Sequence, residues 1–172
     1  MTAELIVLRL VHILGGIFWL GSGLFTSLFL VPALARLGPA GAGPVMGALQ
    51  QRRLFTVLPL VAVATSLSGL RLLHIASNGF TPAYFGTSTG RTFLWSGIAA
   101  IVAFLFSLIV VRPAMLRANT LGASMATLAD AERGTRAAEV ERLRRRGASG
   151  NVVAILLLVF AGAGMAVARY LN

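Results

Sequence analysis

Apolar positions fall into four long runs, and polar residues are gathered into the stretches between them. The runs extend from Leu5 to Val31, Leu54 to Ala76, Thr92 to Val111 and Val152 to Leu171. Each holds about 20 or more residues, enough at about 1.5 Å rise per residue to cross roughly 30 Å of hydrocarbon. Helix is the predicted form of each, because backbone exposed to lipid must satisfy its own hydrogen bonds and four spans are too few for a closed barrel. Pro32 is expected to stop the first run, and Arg112-Pro113 the third. The predicted fold is therefore all-α: a four-helix transmembrane bundle forming one integral membrane domain over residues 1–172. Because the runs are apolar nearly all round, no one-sided stripe assigns which helices touch.

Composition agrees with this pattern. Apolar residues make up 57% of the 172 residues against 12% charged, with a mean hydropathy of +0.85, too oily for an ordinary water-soluble domain. The tripeptide Ala33-Leu34-Ala35 has the form of a signal-peptidase site. The apolar run before it is about 27 residues long and carries Glu4 and Arg9 near its start, whereas a signal core is about 7–15 residues behind a basic cluster. Retention as a span is expected. The absence of cysteine excludes disulfides, thiolate metal sites, iron–sulfur clusters and cysteine nucleophiles together.

All 15 basic residues are arginine, opposed by five acids, for a formal net charge of +10. Nucleic acid is not the implied partner, since the arginines lie between apolar spans, where the positive-inside bias accounts for them. Eleven arginines fall in the first and third loops against four on the other side, namely Arg9, Arg71, Arg91 and Arg169. Both termini are thus expected on the outer side, with loops 32–53 and 112–151 in the cytoplasm. Within the long loop, Asp130 to Arg146 reads as a solvated cytoplasmic helix between spans three and four, with Glu132/Arg136 and Glu141/Arg145 at i,i+4 spacing. Its terminal Arg144-Arg145-Arg146 is suited to anionic headgroups. The middle loop, Asn78 to Gly90, is short enough to cap a site but not to build one.

No Walker-type loop, nucleophile elbow or zinc-helix motif is present, and no catalytic residue is assigned. The spans hold no carboxylate, which removes the usual proton relay of pumps and coupled transporters. They do hold a repeated hexapeptide, Leu8-Arg9-Leu10-Val11-His12-Ile13 and Leu70-Arg71-Leu72-Leu73-His74-Ile75, containing both histidines of the chain. Counted from the outer ends, His12 lies about 10 Å deep and His74 about 6 Å deep, so two imidazoles on antiparallel spans are expected to address one point. Arg71 then falls near the depth of His12 and Arg9 near that of His74, with no acid inside the spans to pair them. A b-type haem answers both features, taking His12 and His74 as axial ligands and Arg9 and Arg71 at its propionates. Gly16, Trp19 and Gly23 recur at i+4, i+7 and i+11 from His12, a shallow groove for a flat ring with an indole at its floor. Copper is the less favoured ligand, because Met46, Met115, Met125 and Met165 all lie away from the histidines. The bland alternatives are glycine used for close helix packing and each histidine hydrogen-bonded in the core.

Arg9, His12, Ile13, Trp19, Gly21 or Gly23, Leu24 and Phe25 in span one resemble the first helix of the HemJ-type protoporphyrinogen oxidases and the related CopD-like copper-resistance proteins. Arg52-Arg53-Leu54-Phe55, Pro59, Gly69 and Leu72-Leu73 are similar to the corresponding stretch at span two. The resemblance implies a bacterial cytoplasmic (inner) membrane location, a haem-linked role for His12, and as further options copper handling or protoporphyrinogen oxidation. That family also relies on a lysine near the third helix. This chain has no lysine, and Arg91 is the nearest basic residue there. The expected function is accordingly a haem-binding membrane protein in redox or electron transfer. Its contrasting class is a cofactor-free accessory subunit, whose partners are the lipid bilayer and other membrane subunits or copies of itself.

Overall fold

The computed structural model describes residues 2–125 and 129–171, and among them every regular element is helical. In chain order these are α1 (Ala3–Phe25), α2 (Val31–Gln51), α3 (Leu54–Ala76), the short α4 (Pro82–Gly86), α5 (Ser88–Phe106), α6 (Arg112–Ser124) and α7 (Asp130–Val167). Four helical stretches, Ala3–Gly38, Leu54–Ala76, Ser88–Ser124 and Ala131–Tyr170, are long and apolar enough to cross a membrane.

Neither proline ends its helix. Before each lies one wide turn, Thr26–Leu30 ahead of Pro32 and Ser107–Val111 ahead of Pro113. In both, the residue just before the proline donates its N–H five residues back, Val31 to Thr26 O and Arg112 to Ser107 O. A proline in a helix lacks the N–H and crowds the carbonyl four residues earlier; a widened turn moves that carbonyl aside and the helix continues. The first break in the α1–α2 helix falls instead at Gly38, whose φ of 65° suits only a residue without Cβ. Much of the expected cytoplasmic loop 112–151 is therefore helix. The expected helix Asp130–Arg146 is the first part of α7, whose 38 residues reach about 57 Å. That exceeds a hydrocarbon core by roughly 25 Å. This overhang lies against α6, with Ala114, Ala118 and Leu143 buried between them and Arg117 Nη2 2.9 Å from Glu139 Oε1.

The bundle consists of two tight antiparallel pairs, α1 with α3 and α5 with α7, joined along α7 and α3. Side chains are sorted by size. Among the described residues eight of the twelve buried apolar ones are alanine, while Leu14, Ile17, Leu28, Phe29, Leu60, Leu67, Ile109 and Leu156 are all more than half exposed. An exterior this apolar suits hydrocarbon rather than water. Between spans there is then no hydrophobic force, and close backbone approach with small residues supplies the contact instead.

The two pairs use the same device. On α1, a Cβ at Gly15 would collide with the hydroxyl of Thr65 on α3, and on α7 one at Gly164 would collide with the hydroxyl of Ser96 on α5. Where the pairs meet, Trp19 packs edge-on against Phe104 at 6.1 Å over the Ala103, Ala154 and Leu158 cluster. Near the widened turns, Asn151 Nδ2 donates to Ser27 Oγ at 2.7 Å. Replacing Gly164 by Ala is expected to cost about 1–3 kcal/mol. In a denaturant titration in detergent, Ser96→Ala should recover much of that loss when combined with it, whereas additive single effects would disprove the contact.

Candidate functional site

The arginines and histidines of the first two spans, Arg9, His12, Arg71 and His74, lie toward the end of the bundle that holds Glu4, the α3–α5 turn and Leu171. Thr89 Oγ1 donates to Leu171 O at 3.1 Å there. His12 is half-buried between α1 and α3, and its Nδ1 lies 2.8 Å from Thr65 O. A carbonyl only accepts, so Nδ1 carries a proton in this contact. The ring rests on Gly69, where a Cβ would stand 2.5 Å from Cε1 and 2.9 Å from Nδ1. Thr65 O also receives the Ser68 hydroxyl at 3.0 Å, so this stretch of α3 backbone is tied to α1 by a side chain that glycine alone admits.

His74 belongs to a different cluster. It sits nine residues beyond Thr65, about 180° round α3 from the face that meets His12, and about 7.5 Å further along than Gly69. Its ring is exposed and meets Phe80 edge-on at 5.1 Å. Arg71 Nη1 donates to its Nδ1 at 3.3 Å. The same guanidinium grips Glu4 Oε1 through Nη2 at 2.7 Å and Nε at 2.9 Å. Arg71 thus has an acidic partner in its own chain, on the first turn of α1. Both side chains are about half exposed, 48% and 52%, so the pair is worth at most about 1 kcal/mol and serves to register α1 on α3.

Phe80 is held in place by a strained turn. Asn78, Gly79 and Phe80 have φ of 49°, 82° and 63°, a run of left-handed residues that only the glycine adopts freely. Ser77, 1% exposed, holds it closed: its Oγ accepts the Phe80 N–H at 2.8 Å, and its carbonyl accepts the Thr81 hydroxyl at 2.6 Å. In α4, burial pushes the Tyr84 phenol above its ordinary value.

The two imidazoles do not converge on one point. The groove expected beside His12 is filled: Gly16 and Gly15 lie on Thr65, and Trp19 belongs to the contact between the helix pairs. Arg9 is exposed and has no ion-pair partner among the described residues. The arrangement therefore does not fit a haem ligated by both histidines with propionates on Arg9 and Arg71. The pairing of Glu4, one residue outside the first apolar run, with Arg71 is not foreseen from the sequence, nor is that of Gly69 with His12. The signal for the latter was present: a glycine and a histidine at similar depth on consecutive antiparallel spans.

Gly69→Ala is expected to expel the imidazole and destabilise the α1–α3 pair by about 1–3 kcal/mol. His12→Ala in that background should cost little more, which a double-mutant cycle in detergent would measure. Comparison with protein-family models, curated proteins and solved structures finds no match to this chain.

Proposed function

We propose that the protein is an integral membrane interaction subunit of the bacterial cytoplasmic membrane, with its α6–α7 hairpin in the cytoplasm and Glu4 and Leu171 at the outer face. The arginine bias supports that orientation. The observation that carries the reading is the hairpin itself, a braced arm that extends two spans beyond the bilayer. Its seam is closed by Ala114, Ala118, Leu143 and the Arg117–Glu139 pair. Glu139 also lies 4.0 Å from Arg136, and Glu141 takes Arg145 at 2.9 Å. Arg142, Arg144 and Arg146 stay exposed without an ion-pair partner among the described residues. Rigid unneutralised guanidinium groups near a membrane face suit the acidic surface of a second membrane subunit.

The test is native electrophoresis of the full chain extracted from its own membranes in mild detergent. The wild type is expected in a complex larger than its 18.0 kDa. A variant with Arg142, Arg144 and Arg146 all changed to Gln should migrate as the lone chain. Eight of the eleven loop arginines remain in that variant, so its topology should hold. Wild-type protein that migrates alone would remove the proposal.

A second reading keeps a haem with His12 as its one protein ligand. Its support is the Nδ1–H bond to the Thr65 carbonyl, the kind of outer contact that fixes the tautomer of a metal-binding imidazole. An absorption spectrum separates the two. A Soret band lost in His12→Ala would favour this reading, and a colourless complex favours the subunit.

A further inference from the structure

At the end of the bundle opposite the hairpin, a cleft of about 470 Å³ opens along the α5–α7 seam. Its rim is polar, with Ser88, Arg91 and Thr92 from the first turns of α5, and its walls are Trp95 and Phe160. Both aromatic side chains are more than half exposed, 60% and 56%. Gly164 and Ser96 form the floor. On α7, Phe160 lies about 160° round the helix from Leu158 and about 140° from Ile155, which face α1, and so sits on the outward side. The cleft thus opens away from the α1–α3 pair, toward the surroundings of the bundle.

Two features of this cleft are left unsatisfied by the chain. Arg91 is exposed in the first turn of α5 and has no ion-pair partner among the described residues. Helix N-termini already carry partial positive charge, so a guanidinium there is repelled unless an anion joins it. This distinguishes Arg91 from Arg71, whose charge Glu4 neutralises. The second feature is the Ser96 hydroxyl, 1% exposed at the floor and without a hydrogen-bond partner among the described residues. A buried hydroxyl without a partner in apolar surroundings is costly.

We infer that this cleft seats an anionic phospholipid, its headgroup phosphate on Arg91 at the rim and its acyl chain along Trp95 and Phe160. The chemistry requires an anion joined to an apolar body, because the rim offers a cation at the edge of the apolar span while the walls below offer aromatic carbon. A phosphate beside Arg91 also answers the positive end of α5. Soluble phosphate would use the rim alone and leave the aromatic walls uncovered. The inference is independent of the hairpin's partner, since it concerns the opposite end of the molecule.

The chain contains two tryptophans, and they separate the site from the core. Trp19→Phe leaves Trp95 as the only indole in the cleft, and Trp95→Phe leaves Trp19 against Phe104 between the helix pairs. Each variant is reconstituted in vesicles containing brominated phosphatidylglycerol or brominated phosphatidylcholine, and indole quenching gives the relative occupancy of each lipid. For Trp95, the anionic lipid is expected to be preferred about five-fold, the effect of one favourable arginine contact near the surface. Arg91→Gln should bring the ratio close to one while the helical circular dichroism is retained. Trp19 should show no headgroup dependence. Equal quenching by both lipids, or a preference that survives Arg91→Gln, would overturn the inference. So would loss of the preference on adding inorganic phosphate, which would assign the rim to a free anion.

Discussion

Close contact between helix backbones, made where a glycine on one helix admits a polar side chain from the next, is the constraint on which the rest of the bundle depends. Gly15 receives the Thr65 hydroxyl, Gly164 that of Ser96, and Gly69 the His12 imidazole. In water a bundle would be held by large apolar side chains turned inward. Here those side chains face outward and the interior is alanine, so what remains is packing area and a few polar contacts. Each such contact is short-range. A single methyl group at Gly15 or Gly164 therefore acts directly on the separation of two long helices, where the same change in a leucine-rich core would be absorbed by rotamers.

The widened turns before Pro32 and Pro113 set the second property of the fold, its reach. Had the prolines ended their helices, α6 would have begun in a new direction and α7 would have had nothing to pair with beyond its apolar part. Because the turn opens instead, α5 runs on into α6 beside the overhanging part of α7, and the packing of Ala118 against Leu143 continues the packing of Ala103 against Leu158. The arginines are carried on this shared frame of two packed helices.

The four spans were legible because their length and hydropathy are set by the bilayer, and the run Leu54 to Ala76 is the helix α3 residue for residue. The proline boundaries were not. Proline's cost depends on whether the preceding turn can widen, and no residue type in Thr26–Leu30 or Ser107–Val111 announces that it does. The polar cluster was half legible. His12, His74 and Arg71 stood out as polar residues in apolar runs, but a helix that is apolar all round hides which way they face. The inference of a shared point used depth, which sequence supplies, without azimuth, which it does not. Glu4 and Arg71 are separated by 67 positions, so their pairing depended on how α1 is rotated against α3.

Azimuth also decides what each end of the bundle is able to do. At the Glu4 end most of the charged and ring groups of the first two spans are taken up within the chain: Arg71 holds Glu4 and His74, His12 holds Thr65, and Ser77 closes the turn under Phe80, while Arg9 stays exposed. At the hairpin end the acids are fewer than the arginines, and the i,i+3 and i,i+4 pairs with Glu139 and Glu141 use up every glutamate but Glu132. Arg142, Arg144 and Arg146 thereby leave unneutralised charge spread around the arm, where water and an approaching surface both reach it. A partner bound there would meet guanidinium groups that have no ion-pair partner among the described residues, and recognition would need no rearrangement of the spans.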